Sequence, residues 1–127
     1  VRVLALDGEG RLLLVRHSYG TGAWMPPGGG LRRGEDPLAA GLRELAEETD
    51  CHLLDARLVE VRSEPLHGAE NIVRIVAGQA LGEPVADGRE IIEVRFFALD
   101  ALPADMPRGQ GEALRRWVSA IRPRQPQ

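Results

Sequence analysis

The chain has 127 residues and a mass of 13.8 kDa, enough for one domain with a real core; 43% hydrophobic and 28% charged residues place it among ordinary globular proteins. A net charge of −3 argues against bulk binding of a nucleic acid polymer, and the absence of Lys among 16 basic residues excludes Schiff-base chemistry and a P-loop lysine. With no apolar run near the roughly 20 residues that cross a bilayer, no signal-peptide pattern and a lone Cys51, the expected setting is cytoplasmic, away from membranes.

"VRVLAL" and "RLLLVR" read as two short strands joined by "DGEG", a hairpin signal; the opening at Val1, already in strand-like sequence, fits a start trimmed by a few residues. A Gly- and aromatic-containing loop, 18–23, leads into "WMPPGGGLRRGED". Asp36-Pro37 reads as a helix start, with Asp as N-cap and Pro at the first helical position, and the helix is expected from about Pro37 to Thr49. "LLDARLVEVRSE", "NIVRIVAGQAL" and "EIIEVRFFAL" read as three more strands linked by the loops "PLHGAE" and "GEPVADGR". Leu114, Trp117, Val118 and Ile121 then recur at helical spacing, and "RPRQPQ" reads as a frayed tail. The expected architecture is α+β: a single domain over 1–121 with a mixed sheet between helices, and a flexible tail over 122–127.

The first helix carries an unusual concentration of acid. At about 100° per residue, Leu38, Leu42, Leu45 and Thr49 share one stripe, and Glu44, Glu47 and Glu48 are expected nearly opposite. Glu44 with Glu48 and Glu44 with Glu47 are like-charge pairs at i,i+4 and i,i+3, each costing a few tenths of a kcal/mol in an isolated helix. Arg43 reaches Glu47 at i+4 but leaves much of the acid face uncompensated. A divalent cation would turn that cost into a site, and oxygen-only ligands favour Mg²⁺ or Mn²⁺ over zinc. A solvated charged face accounts for the helix taken alone. In the preceding loop, Gly29 and Gly34 have P-loop spacing, but Glu35 stands where that motif has Lys. A bare phosphate would be repelled there, so phosphate binding requires metal between it and the carboxylates.

Taken together, Gly29, Glu35, Arg43, Glu44, Leu45, Glu47 and Glu48 resemble the signature of the Nudix hydrolases, G-x5-E-x7-R-E-U-x-E-E-x-G-U with U a bulky apolar residue. Seven of its nine specified positions match strictly; Cys51 is a loose match at the last, and Asp50 stands where the pattern has Gly. That Gly caps the helix with positive φ, a conformation Asp tolerates better than most residues. The hairpin before Trp-x-x-Pro-Gly-Gly and the late "EIIEVRFFALDALP" also resemble the family's layout.

The resemblance implies an α/β/α sandwich and Mg²⁺-dependent cleavage of a pyrophosphate bond in a nucleoside diphosphate linked to another moiety, by metal-assisted attack of water on phosphorus. It implies Glu47, Glu48 and the Gly28 carbonyl as metal ligands, Glu44 as a ligand or the base for the attacking water, and Glu35 paired with Arg43 to hold loop to helix. A further carboxylate is expected at Glu90, with Glu93 and then Glu70 as the next candidates. Arg16, His17, Tyr19 and Trp24 stand near the glycine loop as candidates for contacting phosphate or base, and His67 could line the pocket; Cys51, His52 and His67 lack zinc-type spacing. Phe96, Phe97 and Trp117 are assigned to the core. The expected partner is a small nucleotide or nucleoside diphosphate derivative, bound by a monomer or homodimer. The alternatives are a nucleoside triphosphate pyrophosphohydrolase of house-cleaning type and a Nudix-fold nucleotide sensor without catalysis; sensors commonly lose signature carboxylates, and Glu44, Glu47 and Glu48 are all present.

Overall fold

The computed structural model describes residues 1–66 and 68–121; His67 and the expected tail 122–127 lie outside the described residues. In chain order the elements are β1 (Arg2–Leu6), β2 (Leu12–His17), β3 (Trp24–Met25), α1 (Pro37–Thr49), β4 (His52–Leu66), β5 (Ala69–Leu81), β6 (Ile91–Phe97) and α2 (Gln110–Ile121).

The strands form one six-stranded mixed sheet in the order β3-β2-β1-β5-β4, with β6 also pairing β2. β1 runs parallel to β5, from Arg2 opposite Ile75 to Leu6 opposite Gln79, whereas β2 is antiparallel to β1, β3 and β6. Alternation along the strands divides the core in two. Leu4, Leu12, Leu14, Val73 and Ile75 point to one face, where Leu114, Trp117 and Val118 of α2 cover them. Val3, Ala5, Leu13 and Val76 point to the other, under Leu45 of α1 with Cys51 and Leu53. Covering both faces explains why β1 and β2 are continuous apolar runs, and it gives the α/β/α sandwich expected from the sequence. Phe97 packs on the α2 side, Phe96 on the α1 side, and Trp117 donates its Nε1 proton to Glu60 at 2.9 Å.

The local signals act as their chemistry dictates. In the β1–β2 connection the Asp7 carboxylate accepts from the amides of Glu9 and Arg11, and Gly10 adopts φ 77°. Two elements depart from expectation. The β4–β5 hairpin extends to Leu66 and resumes at Ala69, narrowing the expected 65–70 loop; Pro65 is tolerated because β4 is an edge strand. β3 emerges where only a loop was expected, pairing Trp24 with Arg16 and Met25 with Val15. Register shifts at Leu54/Arg57 and Leu58/Glu60 mark irregularities that bend β4.

Candidate active site

Asp36 opens α1 as expected: with φ −68° and ψ 138°, its carboxylate accepts from the amides of Leu38 and Ala39. At the other end Asp50 adopts the left-handed conformation, φ 61°, and its amide donates to Ala46 O. Thus Asp50 supplies the turn for which the signature uses Gly, at some conformational cost. Asp50→Gly is expected to raise stability by about 0.5–1 kcal/mol, read from denaturant melts, with turnover changed less than twofold; destabilisation would show that the Asp50 side chain supports the helix end.

The orientation of α1 corrects the expected division into apolar and acid faces. Ala40, Gly41, Leu45, Glu48 and Thr49 are buried, and Glu48 is only 6% exposed, whereas Leu42 is 38% exposed. The buried stripe is rotated toward Glu48, because the nearest sheet surface is met by the small Ala40 and Gly41 rather than by Leu42. Gly41 permits this approach: a Cβ there would stand 3.3 Å from Val76 Cγ1.

The glycine loop is held to β1 by backbone. Gly29 N donates to Val1 O at 3.0 Å, Val3 N donates to Pro27 O at 2.8 Å, and Gly28 bridges Arg2. A Cβ on Gly28 would fall 2.1 Å from Val1 O, so only glycine fits without a backbone shift. Gly29 has a different reason: its Cβ would meet the Glu44 carboxylate at 2.6 Å. Loop and acidic helix are therefore in direct contact.

Glu48 lies between that loop and β2. Its Oε1 accepts from Gly28 N at 2.7 Å, and its Oε2 is 3.2 Å from His17 Nε2. Burial pushes the Glu48 carboxyl up to about 7; the Gly28 amide opposes this, while the charges of Glu44, Glu90 and Asp87 add to it. The Gly28 amide thus engages Glu48, which seats the loop beside the carboxylate next to which its carbonyl is expected to act as a ligand. His17, considered as a phosphate contact, is engaged with a carboxylate instead.

Arg43 binds the loop to the helix as a fork. Its Nε donates to Glu35 Oε2 and its Nη2 to Glu35 Oε1, both at 2.8 Å, and Nη2 also reaches Gly30 O at 3.1 Å. Its Nη1 serves Glu44 at 3.0 Å and Glu47 at 3.5 Å, so the acid face has more compensation than the sequence implied; Arg32 adds a 3.5 Å contact to Glu47. The hydrogen bonds from Arg43 hold Glu35 down to about 2.

The remaining candidates separate cleanly. Glu90 precedes β6; its carbonyl accepts from Ser18 N at 2.8 Å, and its charge reaches both Glu48 and Tyr19. Asp87, unforeseen, caps the same loop by accepting from the amides of Arg89 and Ile91, which lower its pKa more than burial raises it; the only sequence signal was the turn-forming "ADGR". Glu93 is engaged with Arg16 at 3.0 Å and Arg95 at 3.1 Å, and Glu70 accepts from Ser63 at 2.6 Å on the β4–β5 hairpin. Arg16 also donates to Gly22 O and lies 5.7 Å from the Trp24 ring. Trp24 is 8% exposed and packs edge-on against Phe97, which makes it a core residue rather than an open stacking platform. Tyr19, by contrast, is 61% exposed.

A cleft of about 710 Å³ adjoins the glycine loop, with Gly28, Gly29 and Gly30 on one side, His17 and Tyr19 beside them, and Arg74 on β5. Among the described residues no three His, Cys, Asp or Glu side chains form a metal-binding group; Arg43 draws Glu44 and Glu47 toward itself, while Gly28 and His17 hold Glu48. The donor chemistry nevertheless suits a hard cation: these are carboxylate oxygens, and after burial the charge of Glu44 adds to the raised pKa of Glu48.

A family model described as the NUDIX domain matches residues 1–117. The chain is 42% identical over 65 residues to an RNA pyrophosphohydrolase of Roseobacter denitrificans, covering 50% of this chain and 39% of the relative. It is 33% identical over 108 residues to an RNA pyrophosphohydrolase of Rhodopseudomonas palustris, covering 80% of this chain and 59% of that one. It therefore spans less than two thirds of either relative. Among solved structures, a MutT NUDIX hydrolase from Burkholderia pseudomallei superposes with a TM-score of 0.74 at 25% identity, covering 95% of this chain and 98% of that one. A MutT protein from Methanosarcina mazei gives a TM-score of 0.78 at 21% identity, covering 91% and 88% respectively.

Proposed function

Because the chain belongs to the Nudix family, we propose that it is a pyrophosphohydrolase that cleaves the pyrophosphate linkage of a nucleoside diphosphate joined to a second group, using Mg²⁺ or, in its place, Mn²⁺. The observation that carries this reading is the direct contact of glycine loop and acidic helix: Glu44 faces Gly29 and Glu48 accepts from Gly28, beside a cleft large enough for a nucleotide.

Glu44, Glu47 and Glu48 would hold the metal, supplemented by Glu90 and the Gly28 carbonyl. When bound, the metal supplies positive charge to the phosphates and acidifies a coordinated water. Glu44 is the residue assigned to receive the water's proton when it is not a metal ligand. Arg43 and Glu35 keep the loop seated on the helix, and Tyr19 offers a face to base or sugar.

The nucleoside diphosphate can also be the first nucleotide of an RNA, a reading supported by the relatives named RNA pyrophosphohydrolase. A net charge of −3 disfavours extended electrostatic binding, but recognition of an end requires only the terminal nucleotides. No described helix is long and apolar enough to cross a membrane, and a cytoplasmic setting is part of the same proposal.

The test is phosphate release in Mg²⁺, with and without a coupled phosphatase, from ADP-ribose, nucleotide sugars, dinucleoside polyphosphates, nucleoside triphosphates and a 5′-triphosphorylated oligonucleotide. Turnover of at least one supports the hydrolase. No turnover, with melting temperature raised by nucleotide and Mg²⁺, would instead support the sensor.

A further inference from the structure

One cation in the cleft has no counter-charge among the described residues. Arg74 on β5 is half-buried, and among the described residues it has no hydrogen bond or ion pair. Strand register explains why. Opposite it on β4 stands Val61, and its same-face neighbours along β5 are Ile72 and Val76. The sheet therefore provides no carboxylate beside it, whereas Arg2, on the other face, has Glu64 at 2.9 Å and Arg16 has Glu93 at 3.0 Å. A guanidinium partly removed from water without a counter-charge favours an anion from outside the fold.

Its position fits one anion in particular. Val76, two residues along the strand, packs in the cluster beneath α1, so Arg74 faces the same side of the sheet as the acidic helix. Arg74 lines the cleft with Gly28, Gly29, Gly30, His17 and Tyr19. The glycine loop joins the two sides, since Gly28 and Gly29 contact Glu48 and Glu44 and also line the cleft with Arg74; a phosphate beside the carboxylates needs a metal to offset them, whereas one in the cleft can be met by Arg74 itself.

Resting on the hydrolase reading above, we propose that Arg74 binds the terminal phosphate of the substrate, so that the group attached to the nucleoside diphosphate is itself a phosphate: a nucleoside triphosphate or a 5′-triphosphorylated end rather than a nucleotide sugar. A free terminal phosphate presents more charge and more acceptor oxygens to the guanidinium fork than an esterified one. Ile72, 43% exposed two residues away, leaves an apolar rim that offers a polar sugar no hydrogen bond.

The test combines binding and turnover for the wild type, Arg74→Ala and Arg74→Lys. Affinity for a triphosphate with a non-hydrolysable imido bridge is measured calorimetrically in Mg²⁺, and kcat and KM are measured on a nucleoside triphosphate and a nucleotide sugar. Arg74→Ala is expected to weaken the imido analogue at least about tenfold, raise KM for the triphosphate by a similar factor with kcat within about twofold, and leave nucleotide-sugar parameters and melting temperature unchanged. Arg74→Lys should recover part of the affinity. Equal binding of the analogue by the wild type and Arg74→Ala, or equal weakening for both substrate classes, would overturn the assignment. A wild type that hydrolyses none of the five substrate classes tested above but loses analogue affinity on Arg74→Ala would refute the hydrolase reading while leaving the phosphate contact standing.

Discussion

Glu48→Gln is expected to lower kcat in Mg²⁺ at least about a hundredfold while making the metal-free protein more stable above pH 7. Glu48 is the most buried of the signature carboxylates, held by the Gly28 amide and His17 within the fields of Glu44, Glu90 and Asp87. The amide can still accept from Gly28, so the packing has no reason to collapse. The sign of the stability change follows from the raised pKa. A carboxyl at about 7 in the fold and near 4.5 when unfolded favours folding below pH 4.5 and loses that contribution as pH rises through 7. Without metal, the wild type should therefore lose on the order of 2 kcal/mol between pH 5 and 8 from this group, and Glu48→Gln should flatten the dependence. Undiminished turnover would remove Glu48 from the reaction; an unchanged pH profile of stability would mean that the carboxyl is not strained in the fold.

The second large effect is expected at Arg43. Its guanidinium serves Glu35 twice, Gly30 O, Glu44 and Glu47, a set that the single ammonium of Lys cannot reproduce. Arg43→Lys should therefore lower kcat/KM about a hundredfold, as expected when loop and helix carboxylates lose registry. The accompanying stability loss should depend on pH. Glu35, held at about 2 chiefly by the Arg43 hydrogen bonds, contributes fully above its unfolded pKa near 4.5 and loses that contribution as pH falls through 2. The melting-temperature gap between the wild type and Arg43→Lys should be constant from pH 5 to 8 and close toward pH 2. A gap independent of acid would indicate that packing, not the ion pair, joins loop to helix.

Much of this arrangement was legible because its signals are local. Asp36-Pro37 marks the start of α1, and the resemblance to the Nudix signature implies the Glu35–Arg43 clamp that the structure closes at 2.8 Å. What escaped depended on tertiary placement. The helical wheel centred the buried stripe on the leucines, but the sheet meets Ala40 and Gly41, exposing Leu42 and drawing Glu48 inward. β3, with two residues, is too short to show a period, so the sequence alone does not reveal that Trp24 is packed against Phe97. Arg74 sits in a strand where its lack of a partner among the described residues is a property of register, set by Val61 across the ladder. Asp87 came into view only through its effect on Glu48.

Turnover of the wild type on its best substrate before chelation, after chelation and after return of Mg²⁺ decides whether the contact of Gly28 and Gly29 with the α1 carboxylates is a metal-dependent hydrolytic centre. The expected result is loss of phosphate release to background with chelator and full recovery with Mg²⁺, or partial recovery with Mn²⁺. Turnover that persists at its original rate in chelator would contradict the assignment of Glu44, Glu47 and Glu48 as metal-holding residues.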